Sequence, residues 1–459
     1  MGSIILMASL CILLVILLLL KKGDIFSPSI IITIVYIISM TSVLLYQNHW
    51  DIDINIITVY VIMGSIIVFC LGELFADLIF SFIDKRKKIS IDNINMSNKS
   101  MLQRLRHKLK NLISPYTLEE IDTIKIPSGI VLIVSLLMLV IVYVYFEKTM
   151  QFSIQAGNKV GISQMIHFAR IAYNSTKYNT DLGIILNQGI LLSKFIAYFF
   201  SYTIIFNVVN KKFKIQNLSY FLPILIYGLI LILSTQRATM MAFVSFVLVV
   251  YMILVKKIRL KANKYIFRVA FISIFVVMGL FLVFGLATGK TQTKGLMDTL
   301  MIYSGSSILA LNIWIMDSTK SAFFGETTLR LFYSGLGKFG FDVPVYEKYF
   351  FDLVRVKDQI WTNVFTPFRR YIQDYGYTGL IIIQFMVGFI YGLTLKYVIR
   401  SKNCILGPIL YAFFFYPIFF YSIEERIMTV YFSLSTIYSV FYILTLTIVF
   451  NKFIKKKVI

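Results

Sequence analysis

Three cysteines, three histidines and eight prolines in 459 residues leave little material for several kinds of chemistry. Cys11, Cys70 and Cys404 lie in or beside apolar runs. None forms a pair with disulfide spacing in an exposed loop, and no metal-ligand pattern is present. Charge is also scarce, at 15% of residues, where a soluble domain carries about 25%. Acidic residues are the scarcer sign, 22 Asp and Glu against 45 Lys and Arg. There is no glycine-rich phosphate loop and no DxD pair, so a metal-dependent sugar-nucleotide enzyme has no support. No repeat at a solenoid period stands out.

What the chain has instead is hydrophobic length, with 58% of its residues apolar. Runs of 17 residues or more recur, each long enough to cross a hydrocarbon core of about 30 Å. They are continuous rather than alternating, which excludes a β-barrel and predicts an all-α polytopic membrane protein. Eleven spans are expected, at about 4–20, 30–46, 56–80, 127–146, 183–209, 219–233, 238–255, 266–287, 377–397, 404–423 and 428–450. The first has no basic residue before it and Lys21-Lys22 after it, the reverse of a signal peptide. It reads as a retained span with its N-terminus outside. Leu300–Met316 is moderately apolar but interrupted by Ser304, Gly305, Ser306 and Ser307. It is expected to pack on the outer leaflet or dip into it.

With this topology, 28 of the 45 Lys and Arg fall on the inner side, as the positive-inside rule requires. The net charge of +23 is then mostly a topology signal. Nucleic acid is excluded as a partner, because the basic residues lie in dispersed loops with no reading module. The single membrane domain, 1–459, carries a basic cytoplasmic loop at 84–125, an outer loop at 147–182 and a large outer loop at 288–375. QRLRHKLKNLI in the first loop suits an amphipathic helix on anionic lipid. Glu73 and Asp77 share one face of the third span and are expected to pair with Lys85 or Arg86.

The charged residues beside the outer surface are Arg170, Arg237, Arg369, Arg370, Asp374, Glu424, Glu425 and Arg426. Arg237 sits in STQRATM, a turn so tight that the arginine must stay near the bundle. A guanidinium there can grip two phosphate oxygens or snorkel to headgroups. Arg369 and Arg370 point in different directions on a helix, and Asp374, at i+4 from Arg370, suits an intrahelical pair. Gly376 and Gly379 would permit close helix approach. His167, three residues before Arg170, can serve as a base near neutral pH or as a plain loop histidine.

STQRATM at 234–240, the large outer loop and TPFRRYIQDYGYTG at 366–379 together resemble the bacterial oligosaccharide repeat-unit polymerases, the Wzy family of O-antigen and capsule polymerases. The resemblance implies a helical-bundle, lipid-dependent glycosyltransferase (GT-C-like) fold in the bacterial inner membrane. It implies undecaprenyl-pyrophosphate-linked oligosaccharides as substrates, membrane lipids as surroundings, a chain-length regulator and a flippase as protein partners, and neither cofactor nor metal. In such an enzyme Arg237 and Arg370, then Arg369 and Arg170, would stabilise the departing pyrophosphate, with Arg426 as a further substrate-binding residue. His167, Asp374 and Glu424 are the candidate proton acceptors, in that order. A lipid-linked glycan flippase and an O-antigen ligase are the alternatives. A flippase would be expected to show two related halves, and the spans here divide unequally.

Overall fold

Long apolar runs become helices because a helix satisfies every backbone N–H and C=O within its own segment. The computed structural model describes residues 1–50, 52–89, 121–175, 177–258, 296–316, 320–344, 354–357, 360–401 and 405–456, with scattered positions between 263 and 285. Among these, the helices of eight or more residues are α1 (Gly2–Leu20), α2 (Pro28–Leu45), α3 (Ile56–Ile89), α4 (Ser128–Gln155), α5 (Ile162–Tyr173), α6 (Ile184–Val209), α7 (Phe221–Leu233), α8 (Arg237–Ile258), α9 (Leu296–Met316), α10 (Arg330–Lys338), α11 (Pro367–Arg400), α12 (Leu406–Phe419) and α13 (Leu434–Asn451). Among the described residues, ten helical segments are long and apolar enough to cross a membrane, and α12 is a shorter apolar helix. The fold is all-α and polytopic. The expected span at 266–287 and the segment QRLRHKLKNLI lie outside the described residues, apart from scattered positions of the former.

The chain forms two units. The first comprises Met1–Asn98, Gly295–Arg400 and Phe414–Thr436. One end of it is an ion-pair cluster. Lys21, directly after α1, reaches Glu73 at 3.0 Å and Asp77 at 2.8 Å, and Lys396 reaches Asp77 at 3.1 Å. Glu73 also accepts from Ser27 Oγ at 2.6 Å and from the Ser29 amide at 2.9 Å. Burial works against the Lys21 charge, but the two carboxylates outweigh it and hold its pKa above the ordinary value. Among the described residues, Glu73 and Asp77 thus pair with Lys21 and Lys396, which stand level with them. The side chains of Lys85 and Arg86 lie outside the described residues.

Above this cluster α3 and the second part of α11 run parallel and touch backbone to backbone. A Cβ on Gly388 would stand 2.0 Å from the Phe69 carbonyl oxygen, and one on Gly72 would stand 2.1 Å from that of Phe385. The glycines that bring helices together are therefore Gly72, Gly388 and Gly392. Gly376, with nothing within 4 Å of an added Cβ, does other work than the close approach expected of it, while a Cβ on Gly379 would stand 2.1 Å from the Tyr375 Cβ. Gly376, at φ 68° and ψ −176°, breaks α11 into a first segment, 367–375, and a crossing segment, 377–400. A side chain is disfavoured at that φ, which is why a glycine stands at the corner.

The opposite end of the unit is capped by α9. Near its start Asp298 accepts from Tyr46 Oη at 2.8 Å, and Ser304 Oγ lies 2.7 Å from Ser42 Oγ. Near its finish Asn312 Oδ1 accepts from the Asn55 amide at 2.7 Å and from Thr58 Oγ1 at 2.8 Å, and Met316 Sδ accepts from Asn55 Nδ2 at 3.3 Å. Tyr46 and Asn55 bracket the short link between α2 and α3, so they stand at the same end of the bundle. A helix of this length rises about 30 Å, enough to carry Met316 down to the Lys21 cluster if it crossed. Length and composition alone would let α9 span, but its contacts lay it across the end of the bundle. The hairpin β2 (Val354–Lys357) and β3 (Ile360–Thr362) packs beside it.

The second unit comprises Lys99–Lys294, Ser401–Phe413 and Ile437–Ile459. At one end β1 (Ile121–Ile124) pairs antiparallel with β4 (Ile454–Lys456). There Asn207 of α6 bonds the main chain of Ile124 through both its oxygen, at 3.1 Å, and its nitrogen, at 3.0 Å. Tyr220 Oη, just before α7, accepts from the Ile126 amide at 2.9 Å. Lys212 pairs with Asp122 at 2.9 Å. From this end α4 and α7 run to the other, where α5 folds back along α4 with Phe152 edge-on to Tyr173. α4 extends to Gln155, nine residues past the expected end of its span.

Candidate functional site

In the first unit the α9-bearing end holds every nominated residue of the C-terminal half. Thr366 and Pro367 open α11, and the helix then presents Arg369 and Arg370 in its first turn and Asp374 one turn later. Arg369 is 5% exposed, with its guanidinium 3.7 Å from the centre of the Phe365 ring and 5.6 Å from that of Trp314 on α9. Arg370 diverges from it, as adjacent helical positions must, and donates to the Thr327 carbonyl at 3.1 Å.

Asp374 makes no ion pair with Arg370 among the described residues. Its carboxylate instead accepts from Ser321 Oγ at 2.5 Å, Thr328 Oγ1 at 2.7 Å, the Thr328 amide at 2.9 Å and the Thr327 amide at 3.1 Å. Arg370 and Asp374 thus pin one loop, 321–328, to the surface segment of α11. With these four donors on it, Asp374 acts as a positioning group for the loop. Asp374→Asn should loosen the loop by about 2 kcal/mol, raising amide exchange at Thr327 and Thr328 roughly 30-fold. Hydrogen exchange read by mass spectrometry checks this, and unchanged protection would contradict it.

Glu424 and Arg426 engage each other at 2.6 Å. Glu425, 1% exposed, turns inward. It accepts from Tyr371 Oη at 3.0 Å and from the amides of Ile427, Met428 and Thr429 at 2.8, 2.7 and 2.9 Å. These three residues shape the segment between α12 and α13. Glu424, expected as a proton acceptor, and Arg426, expected as a substrate-binding residue, are thus each other's partner.

In the second unit Arg237, Arg170 and His167 lie at the end away from β1 and β4. The α7–α8 turn is three residues, Ser234 to Gln236. Ser234 Oγ closes it by donating to the Leu231 carbonyl at 2.7 Å, and Thr235 adopts φ 54°. A β-branched residue there costs about 1–2 kcal/mol, so the turn is held against strain. Arg237 follows as the first residue of α8 and is 6% exposed. The tight turn does keep this arginine against the bundle. His167 and Arg170 lie half-buried on α5. The His167 ring stands edge-on to Phe168, and its Nδ1 is buried with no hydrogen-bond partner among the described residues.

Sequence reasoning passed over Lys194. It is the eleventh residue of α6, and its ammonium stands 5.2, 5.5 and 5.1 Å from the ring centres of Phe195, Tyr198 and Phe413. A lysine at the centre of a span costs about 2.5–3.5 kcal/mol, and a desolvated ring returns on the order of 2 kcal/mol or less. The signal was present in ILLSKFIAYFF, one charge inside an apolar run. Within the 321–328 loop Glu326 accepts from the Ala322 amide at 2.7 Å, and no group of three or more His, Cys, Asp and Glu among the described residues could hold a metal.

Comparison with known proteins gives no matching family model, and no significant match among curated proteins or solved structures.

Proposed function

We propose that the protein polymerises undecaprenyl-pyrophosphate-linked oligosaccharide repeat units on the outer face of the bacterial inner membrane, with its N-terminus outside. A hydroxyl at the non-reducing end of a new unit attacks the anomeric carbon of the growing chain. The bond from that carbon to the pyrophosphate oxygen breaks, undecaprenyl pyrophosphate leaves, and the hydroxyl proton passes to a base. Negative charge builds on the leaving oxygen, so a fixed guanidinium stabilises the transition state more than the ground state.

The observation that carries this reading is Arg237, buried to 6% at a strained three-residue turn, in the same end of the second unit as Arg170 and His167. Its rigid placement suits preorganised charge stabilisation. His167 is the favoured base, because its buried Nδ1 has no partner among the described residues while Asp374 and Glu424 are engaged. Arg369 is the favoured cation of the first unit, and Arg370 acts by holding the 321–328 loop.

Arg237→Ala should lower kcat roughly 10²- to 10³-fold with a smaller change in KM. Arg237→Lys should recover only part of that loss, since it keeps the charge but not the two-pronged grip. Single-turnover release of undecaprenyl pyrophosphate by purified protein measures both. A full rate in Arg237→Ala would remove this arginine from the site.

A further inference from the structure

Lys194 stands about 15 Å along α6 from its start, near the middle of a core about 30 Å thick. Among the described residues it has neither a carboxylate nor a hydrogen-bond acceptor. Three rings surround its ammonium, two from its own helix, Phe195 and Tyr198, and one from α12, Phe413. Rings offer a negative face and exclude water, but they leave an ammonium's three N–H donors without strong acceptors. A cation so placed in a membrane protein marks a path or a ligand.

The box is tied to the helix that Arg237 opens. Tyr198 stacks on Phe246 of α8 at 4.1 Å and meets Phe243 at 5.6 Å, and Arg237 lies less than two turns before Phe243. Phe195 also stacks on Tyr442 of α13, whose hydroxyl donates to Gln188 at 3.1 Å. The walls are therefore mainly aromatic around one cation, and a second cation begins the neighbouring helix. That combination fits an anionic headgroup carried on an apolar chain.

We propose that Lys194, in its box of Phe195, Tyr198 and Phe413, is a binding residue for the diphosphate of a polyprenyl-linked lipid. The anion's identity rests on the function proposed above, and the lysine's role in holding it is additional to that function. The ammonium donates to the diphosphate oxygens, and the rings line the first isoprene units.

The full chain in nanodiscs of zwitterionic lipid is titrated with undecaprenyl pyrophosphate, with inorganic pyrophosphate and with phosphatidylglycerol. The lipid diphosphate should bind best, and Lys194→Met should weaken it roughly tenfold to a hundredfold, the loss of one charge-assisted contact. Lys194→Arg should retain most of the affinity. Wild-type affinity in Lys194→Met, or equal binding of phosphatidylglycerol, overturns the proposal. A second measurement needs no variant: an amine-reactive probe is mapped by mass spectrometry with and without undecaprenyl pyrophosphate. Protection of Lys194 but not of exposed Lys320 supports the proposal, and equal labelling of Lys194 in both states overturns it. If Lys194→Met polymerises and binds like the wild type, this inference fails and the polymerase reading stands. If wild-type protein makes no polymer yet binds the lipid diphosphate through Lys194, the polymerase reading fails and the binding site stands.

Discussion

Glu425→Ala is expected to destabilise the protein by about 4 kcal/mol, because it strips acceptors from buried donors that cannot reach water. Four donors converge on this carboxylate, the Tyr371 hydroxyl and three successive amides. At 1% exposure the site leaves no water to replace them. Removing one partner of such a set costs more than the set was worth, since the remaining groups keep their desolvation penalty. The neighbouring Glu424→Ala should cost less than about 1 kcal/mol, because Glu424 and Arg426 form a partly exposed pair. Thermal unfolding in one detergent compares the two, and hydrogen exchange at 427–429 localises the loss. Equal melting temperatures for the two variants would contradict the role assigned to Glu425.

Gly388→Leu should have a larger effect still, leaving little or no correctly folded protein. Its first added atom would stand 2.0 Å from the Phe69 oxygen and 2.8 Å from the Phe69 carbonyl carbon, both backbone atoms that cannot swing aside. The same contact is closed from the other side by Gly72 against Phe385 and Phe389. To admit a side chain, α3 and α11 would have to separate along their shared length. That would disturb the packing of Gly392 on Glu73, and with it the Lys21–Glu73–Asp77 cluster. Overpacking costs about 1–3 kcal/mol where neighbours can adjust, and here they cannot. Gly64→Leu, on the same helix α3 with nothing within 4 Å of its added Cβ, should leave the yield of monodisperse protein unchanged. Matching yields for Gly388→Leu and Gly64→Leu would contradict the close packing of α3 and α11.

The helices were legible because hydrophobic length is a local property. The α9 segment was legible as something other than an ordinary span because serines interrupt it, and Ser304, Ser306 and Ser307 are indeed its polar contacts to Ser42, Thr362 and Ser422. Partners distant in sequence were not legible. Lys21 finds Glu73 across 52 positions, and Asp374 finds Ser321 across 53. A rule for near neighbours pairs Asp374 with Arg370, and tertiary packing overrides it. The work of Gly376 was hidden for a related reason. A glycine pair looks alike whether it admits a neighbouring helix or turns a corner, and only the backbone angle tells them apart. Arg237 was legible because a three-residue turn leaves an arginine nowhere else to go.

The most direct measurement supplies purified protein with its host's undecaprenyl-pyrophosphate-linked repeat unit and no nucleotide sugar, then separates products by length. A repeat-unit polymerase yields a ladder of whole-number multiples, with one undecaprenyl pyrophosphate released for each linkage formed. Folded protein that receives authentic substrate and yields neither ladder nor undecaprenyl pyrophosphate would contradict the polymerase reading.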